Sequence, residues 1–512
     1  MNTRKILFPE LLVCTALALI FQLVAGEPVQ ARTMSNDTCF EEIDKYIEQQ
    51  LESLNLPGAA FAIVEGYEIV HLRGFGQARP NGEAPTPQTP FFIGSLTKSV
   101  TALAVMQLVE AGKIELDAPV QRYLPWFRLA DPEASARMTV RHLLNQNSGF
   151  PQTVGMKQLV DFDDNPGATE RQARRLATLK LSRPVGSAFE YSNVNYNLLG
   201  LIVEAASGET YTEYVQNHIF TPLDMNHSYI SQAEAKENGL AVGHIVWFGF
   251  PIAVPDLPIP TGSLPSGQLI STAEDMAHYL IAQLNEGRYN DIQILSPEGI
   301  AELHRPAVDA TIVGIEMGYS MGWFVEETSQ GTRLNHKGTV PNFFSYMALL
   351  PEQNRGMVLL VNGNQTLIDF SLDAVGAGAA SLLAGVQPEP VPWGIVPWSI
   401  RAFLIIPVLQ ILGVFLTLRG VRRWRREPNR RPGPVRTAIF HILIPILLNL
   451  IVVILALTLL FSFPLGFLLL YIPDLAWLFL ICGGFALVWI FMRTALILFT
   501  LRKPSPPQAF VG

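Results

Sequence analysis

The C-terminal part of the chain sets the strictest limit on what it can fold into. Three apolar stretches, at residues 402–418, 437–461 and 475–501, follow one another closely. Each comes near the roughly 20 residues that a helix needs to cross a bilayer. Between the first two, residues 419–436 hold eight Arg and one Glu. A short, Arg-dense connection is retained on the cytoplasmic side of a membrane. Arg502 and Lys503, after the third stretch, ask for the same side. Three spans satisfy both demands, because a fourth would have to fit into residues 464–471, which are too few. The expected topology leaves everything before residue 400 outside the cell membrane. Stretches of this length disfavour the competing reading, buried core helices of a soluble protein.

Charge divides along the same line. Only 16% of residues are charged, against about 25% in ordinary soluble domains. From Pro397 onward there are twelve Lys or Arg and two acids; the preceding 396 residues hold 24 bases and 42 acids. The net charge of −8 therefore averages a basic tail and an acidic outer part. The apolar content excludes a disordered chain, and the acidic balance argues against a nucleic-acid partner.

Residues 1–31 read as a signal peptide or N-terminal anchor. Arg4 and Lys5 precede an apolar run to Val24, and a small-residue cleavage pattern ends at Ala31. Cys14 lies in that run and Cys482 in the last span, so Cys39 alone belongs to the outer part. No internal disulfide can form there, and the fold must rest on its core.

Residues 36–385 alternate strand-like and helical patterns. Residues 58–64 and 68–74 predict a hairpin, and residues 95–111 a helix apolar nearly all round and closed by Gly112. A helix is expected over 196–206, and late strands at 322–326, 343–350 and 356–361. Strands at both ends with helices between them predict one sheet built from the two termini. The Pro-rich stretch 386–400 links this domain to a membrane region at 401–503, with Trp393 and Trp398 suited to the interface.

Three short segments could carry chemistry. Ser95-Leu96-Thr97-Lys98 places a hydroxyl and an amine one turn apart on one helix face. A serine needs a base to accept its proton, and a lysine in an apolar helix loses part of its charge stabilisation. Tyr191-Ser192-Asn193 leaves a turn before a helix. A tyrosine near cations can act as a phenolate base and an Asn amide can orient a substrate, although a packed Tyr beside a capping residue explains the same pattern. The run His336-Lys337-Gly338-Thr339, placed on a strand near the sheet edge, offers a His that could hold positive charge and a Gly that admits close backbone approach. A lone His before a Gly is common for structural reasons too.

Taken together and in this order, the three segments resemble the serine β-lactamase and penicillin-binding-protein superfamily, whose first motif is S-x-x-K. Tyr-x-Asn points to the branch of class C β-lactamases, D-alanyl-D-alanine carboxypeptidases and related esterases. The resemblance runs over most of residues 40–365, including residues 139–150 (TVRHLLNQNSGF), 266–279 (SGQLISTAEDMAHY) and 318–324 (GYSMGWF). It implies an α/β fold: an antiparallel sheet flanked by helices, with a helical subdomain, here joined to a C-terminal helical membrane region. It also implies Ser95 as acylated nucleophile, Lys98 and Tyr191 as its proton-transfer partners, and Asn193, His336, Gly338 and Thr339 as substrate-binding residues. The oxyanion hole would be the backbone N–H groups of Ser95 and Thr339. The third motif often begins with Lys, whereas His336 stands there, which weakens the case for β-lactam hydrolysis.

Gly318-Tyr319-Ser320-Met321-Gly322 also fits the G-x-S-x-G elbow of α/β-hydrolases. That motif needs a helix directly afterwards, and a strand-like run follows instead. His71, His142, His218, His227, His244, His278 and His304 show no metal-ligand spacing, so no metal or other cofactor is expected. The expected partners are the lipid bilayer and a small-molecule or peptide acyl donor, such as peptidoglycan stem peptides, β-lactams or small esters. A non-hydrolytic penicillin or peptidoglycan sensor that signals through its transmembrane helices is the alternative.

Overall fold

The computed structural model describes residues 36–311, 316–388 and 395–502. The expected leader at 1–31 lies outside the described residues, as does the middle of the Pro-rich linker. Backbone contacts divide the chain into two units, one ending at Val396 and one beginning at Pro397.

The first unit is built on an eight-stranded sheet. Its strands are β1 (Gly58–Glu65), β2 (Glu68–Gly76), β3 (Val308–Asp309), β4 (Gly318–Ser320), β5 (Trp323–Thr328), β6 (Gly331–Val340), β7 (Phe343–Leu350) and β8 (Arg355–Val361). They lie in the order β2-β1-β8-β7-β6-β5-β4-β3, every neighbour antiparallel. The two ends of the domain meet where β1 pairs with β8, in the register Ala59↔Val361. A sheet assembled from both termini is what the sequence pattern predicts.

Side-chain alternation assigns the two faces. Ala60, Ala62 and Val64 of β1, Met347 and Leu349 of β7, and Val358 and Leu360 of β8 join one large core with the helices inserted between β2 and β3. The opposite face carries Phe61, Tyr346 and Leu359. It is covered by α1 (Asn36–Leu54) and α5 (Asp369–Leu383), whose Gly376 lies directly on the Tyr346 ring. Because both faces are covered, β7 is buried along its whole length. Its sequence therefore reads as a nearly continuous apolar run.

Three helices of the inserted part matter for the site: α2 (Thr97–Glu110), α3 (Asn193–Ser207) and α4 (Ala273–Leu284). Helix α2 is buried on nearly every side. It ends where Gly112 takes a φ of +67° and Lys113 N–H bonds back to the Leu108 carbonyl. Helix α3 begins at Asn193, not at Tyr196 as the sequence pattern suggests. Its start is set by tertiary contacts from Gln146 rather than by propensity, as described below.

The second unit contains α6 (Ile405–Arg426), α7 (Ile444–Ser462) and α8 (Pro473–Arg502). The continuous helical stretches Trp398–Arg426, Pro434–Ser462 and Pro473–Arg502 are long and apolar enough to cross a membrane. Large apolar side chains such as Phe461, 84% exposed, and Phe491, 73% exposed, are turned outward, as lipid-facing residues are. Gly483 of α8 meets the Ala456 methyl of α7, the close approach that small residues permit between membrane helices. The Arg-rich connection is shorter than its sequence suggests. Helix α6 continues through Arg426, and Arg423, Arg425 and Arg426 occupy its last turn, where cations complement the helix dipole.

Candidate active site

Ser95 lies in a 3₁₀ turn, Gly94–Leu96, that leads directly into α2. Thr97 fastens the turn by donating from Oγ1 to the Gly94 carbonyl at 2.7 Å. Ser345 of β7 donates to the Ile93 carbonyl at 2.7 Å. Gly94 has a φ of +52°, and a side chain there would come within 2.5 Å of the Thr339 backbone nitrogen. A side chain on Gly338 would come within 2.1 Å of the Ile93 carbonyl oxygen. Two glycines thus let the Ser95 turn lie backbone to backbone on β6. Ser95 is half-buried at this seam, while Lys98 beneath it is sealed from solvent.

Lys98 Nζ stands 2.9 Å from Ser95 Oγ and donates to the Ser266 carbonyl at 2.5 Å. That carbonyl is presented by a one-turn helix, Leu264–Gly267. Burial holds the Lys98 amine well below its ordinary pKa, because a charged ammonium loses its hydration there. The amine also sits 4.9 Å from the centre of the Tyr191 ring and 5.8 Å from that of Tyr196. Tyr191 interacts with the Ser95 hydroxyl, yet burial, with Tyr319 and Asp369 nearby, pushes its phenol well above the usual range. The resting arrangement is therefore an amine whose charge is disfavoured by burial, a hydroxyl and a protonated phenol. A resting Tyr191 phenolate, one of the sequence expectations, is corrected by this burial.

Asn193, the first residue of α3, has its side-chain oxygen buried without a hydrogen-bond partner. The turn that carries Tyr191 and Asn193 is held by Gln146, a residue the sequence reading did not single out. Its carbonyl accepts from Glu190 N–H at 2.8 Å. Its Oε1 accepts from Ser192 N–H at 2.9 Å and from Asn195 Nδ2 at 2.5 Å. Gln146 has a φ of +55°, a left-handed conformation that costs a non-glycine residue about 1–3 kcal/mol and clusters at functional sites. Its place inside the 139–150 phrase was the available signal.

His336 lies on β6, which is fifth in the order of eight and so internal, not at the sheet edge as expected. Pairing with β5 nevertheless ends at Asn335↔Phe324, so the last residues of β6 border the Ser95 turn instead. The His336 ring is enclosed by Phe324, Tyr191 and Tyr319, with centroids 5.3, 6.2 and 6.3 Å away. Burial, followed by the charge of Lys98, brings its pKa down to about 3. The imidazole is neutral, which corrects the expectation of a positive charge at this position. Lys337 points to the other face of the sheet, where its Nζ is 2.9 Å from Asp373 and 3.6 Å from Asp369. Thr339 follows it to that face and donates to Asp369 at 2.6 Å.

The G-x-S-x-G run has structural roles. Ser320 is buried and donates to the Leu303 carbonyl at 2.6 Å. Gly322, with a φ of +90°, packs its backbone on Ser99. His227, Glu274 and Asp275 come together with ligand atoms within 4.8 Å of one another, a grouping that local spacing could not reveal. Asp275 is already committed there, accepting from His227 N–H at 2.8 Å and Ser228 Oγ at 2.7 Å.

Comparison with known proteins places this geometry in context. The family model described as Beta-lactamase matches residues 43–380. Protein flp of Staphylococcus aureus is 29% identical over 339 residues, which are 65% of this chain and 65% of that protein. Penicillin-binding protein 4 of Amycolatopsis lactamdurans is 28% identical over 315 residues, 60% of this chain and 81% of the relative. The octameric penicillin-binding protein homologue from Pyrococcus abyssi superposes with a TM-score of 0.60 at 31% identity, covering 68% of this chain and 78% of its own.

Proposed function

The chain belongs to the beta-lactamase family, and on that premise we propose that it is a membrane-anchored, extracytoplasmic serine hydrolase working through an acyl-enzyme. One observation carries the reading. A lysine amine whose charge is disfavoured by burial lies 2.9 Å from a serine hydroxyl at the mouth of a helix. Structural packing gives no reason to bury an unpaired lysine against a half-exposed serine.

In this scheme Ser95 Oγ attacks the carbonyl carbon of an ester or amide while Lys98, neutral at rest, accepts the serine proton. The bond from Oγ to the acyl carbon forms and the bond to the leaving group breaks. Tyr191, a protonated phenol beside both, passes the proton to the departing oxygen or nitrogen and recovers it from Lys98. Water then hydrolyses the Ser95 ester by the reverse relay. The N–H groups of Ser95 and Thr339, adjacent at the glycine seam, serve as the oxyanion hole. Asn193 orients the acyl side chain. D-amino-acid peptides, β-lactams and small esters or amides are the candidate donors. The names of the penicillin-binding relatives favour β-lactams among these for this chain as well.

The three apolar helices anchor the unit, with the Arg-rich connection after α6 inside the cell. A fluorophosphonate probe and a labelled penicillin test the nucleophile. Labelling of the wild type and not of Ser95→Ala is expected, and equal labelling of both overturns the assignment. A labelled adduct that never turns over would instead identify a sensor.

A further inference from the structure

One charge in the helical unit is left without a counterion. Arg493 is half-buried in α8, well before that helix ends at Arg502. Its Nε donates to Thr417 Oγ1 of α6 at 2.9 Å. Among the described residues that is its one hydrogen bond, and it forms no ion pair. The other N–H groups of the guanidinium are left over. Beyond residue 396 the sequence holds two acidic side chains, Glu427 and Asp474. Glu427 pairs with Arg430 at 2.7 Å. Asp474 lies near the opposite end of α8, roughly 28 Å from Arg493 along the axis.

A second contact joins the same two helices two turns nearer the Arg-rich end. Arg425 Nη2 of α6 stands 3.5 Å from Thr500 Oγ1 of α8. In both contacts the threonine gives its own proton to a helix carbonyl, Thr417 to Gly413 and Thr500 to Leu496, each at 2.7 Å. Each hydroxyl can therefore only accept from its arginine, and neither supplies negative charge. Val421, Trp424 and Ile497 pack into a buried apolar cluster on this seam. The His441 ring stands edge-on to Trp424, 4.9 Å away, within range of the Arg493 charge.

Depth identifies the missing anion. Helix α8 has 30 residues, about 45 Å of length, of which a hydrocarbon core covers about 30 Å. With the helix centred, Arg493 lies about 7 Å inside the edge of that core, on the Arg-rich side. A long cation extends from such a position to the headgroup level. An uncompensated charge there is costly, and an anion is held more strongly than in water. We propose that the seam between α6 and α8 binds the phosphate of an anionic phospholipid, with Arg493 as the main ligand and Arg425 as the second. The inference rests on the three apolar helices lying in a bilayer, as proposed above. Arg423 and Arg426, in the last turn of α6, favour a lipid of net negative charge over a zwitterionic one.

The full chain in detergent, titrated with phosphatidylglycerol or phosphatidylcholine and followed by native mass spectrometry, tests the proposal. Phosphatidylglycerol should bind about fivefold or more tightly than phosphatidylcholine. Arg493→Gln should weaken it by about fivefold. Arg425→Gln should cost about threefold, and it reports even if Arg493→Gln fails to fold. Arg430→Gln removes a charge already offset by Glu427 and should leave the affinity within roughly twofold. Equal affinity of the wild type for both lipids overturns the proposal, as does a preference unmoved in both Arg493→Gln and Arg425→Gln. Thermal melts with inorganic phosphate separate the two sources of the anion. Protection by phosphatidylglycerol and not by phosphate is expected, and equal protection by both overturns the assignment to lipid. A chain that stays in solution without detergent would sink the membrane reading itself. One that needs detergent yet shows no lipid preference would sink this proposal alone.

Discussion

The two units treat buried polar groups in opposite ways. In the helical unit four polar side chains of the apolar helices, Gln410, Asn449, Asp474 and Arg493, have a partner close by. Gln410 donates to the Cys482 carbonyl at 2.9 Å and Arg493 to Thr417 Oγ1 at 2.9 Å. Asn449 donates to the Pro445 carbonyl at 2.8 Å, and Asp474 accepts from Leu475 N–H at 2.8 Å. In the first unit, the side-chain oxygen of Asn193 and Nε2 of His336 are buried with none. An unmade hydrogen bond costs about 1–3 kcal/mol. A unit meant only to sit in lipid avoids that cost throughout, whereas a site that receives a polar substrate keeps open positions for it. On the proposed reading, the unpaired Asn193 oxygen is one such open position, and the paired side chains of the apolar helices suit residence in lipid.

Substitutions can break this contrast, beginning where the effect is largest. Lys98→Met removes the base, so kcat should fall by about 10³–10⁴-fold. The fold should persist, because an apolar chain replaces a desolvated amine. Stopped-flow acylation together with a thermal melt checks both halves. In the wild type, activity should depend on Lys98 being neutral. Its folded pKa lies below its unfolded one, so protons favour the unfolded state. Stability and activity should therefore both decline as pH falls through the lowered pKa, activity by about tenfold per unit. His336, neutral above about 3, should add no inflection near the ordinary histidine pKa. A pH–rate profile with a histidine step that vanishes in His336→Asn would show that the imidazole is charged after all.

Tyr191→Phe should lower kcat by about 10²-fold with little change in KM, since the phenol acts on the proton and not on ground-state binding. An unchanged kcat would remove Tyr191 from the relay. Gln146→Ala leaves the Ser192 N–H and the Asn195 amide without their acceptor. It should cost about 1–3 kcal/mol in unfolding free energy, and reduce kcat more than it raises KM as the Tyr191 turn loosens. The smallest effect belongs to the other unit. Thr417→Val strips Arg493 of its acceptor and should weaken the helical unit by about 0.5–2 kcal/mol in detergent unfolding. Ester turnover by the outer unit should stay within roughly twofold of wild type, because neither residue belongs to the catalytic machinery.

Local patterns in the sequence marked most of what positions the site. The hairpin of β1 and β2, the end of α2 at Gly112, the strand β7 and the three apolar stretches each follow from periodicity, a terminating glycine or sheer length. Ser95, Lys98, Tyr191 and His336, which the fold brings together, could be picked out as candidates because each stands in a short motif. What remained hidden depends on distant partners. The Ser266 carbonyl that receives Lys98 is backbone and leaves no signature in residue type. Gln146 looks like one polar residue among several until Ser192 and Asn195 are brought to it from nearly fifty residues away. The face that Lys337 adopts could be decided only once β6 had a register with β7 and α5 supplied Asp369 and Asp373. The early start of α3 has the same origin.

The pairing of β1 with β8 bears on the order in which the chain becomes structured. Ala59 cannot meet Val361 until roughly three hundred further residues have been synthesised, so the pair that joins the two ends of the domain closes by the slowest kind of contact. For a chain exported as proposed here, the N-terminal strands cross the membrane before their partner exists. They cannot lock into a sheet in the cytoplasm and obstruct their own passage. The partner strand emerges shortly before the first apolar helix arrives to halt translocation, so folding of the hydrolase and arrest of the chain in the bilayer fall almost together. On that proposal, late closure of the sheet would keep the outer unit unfolded until it had crossed the membrane.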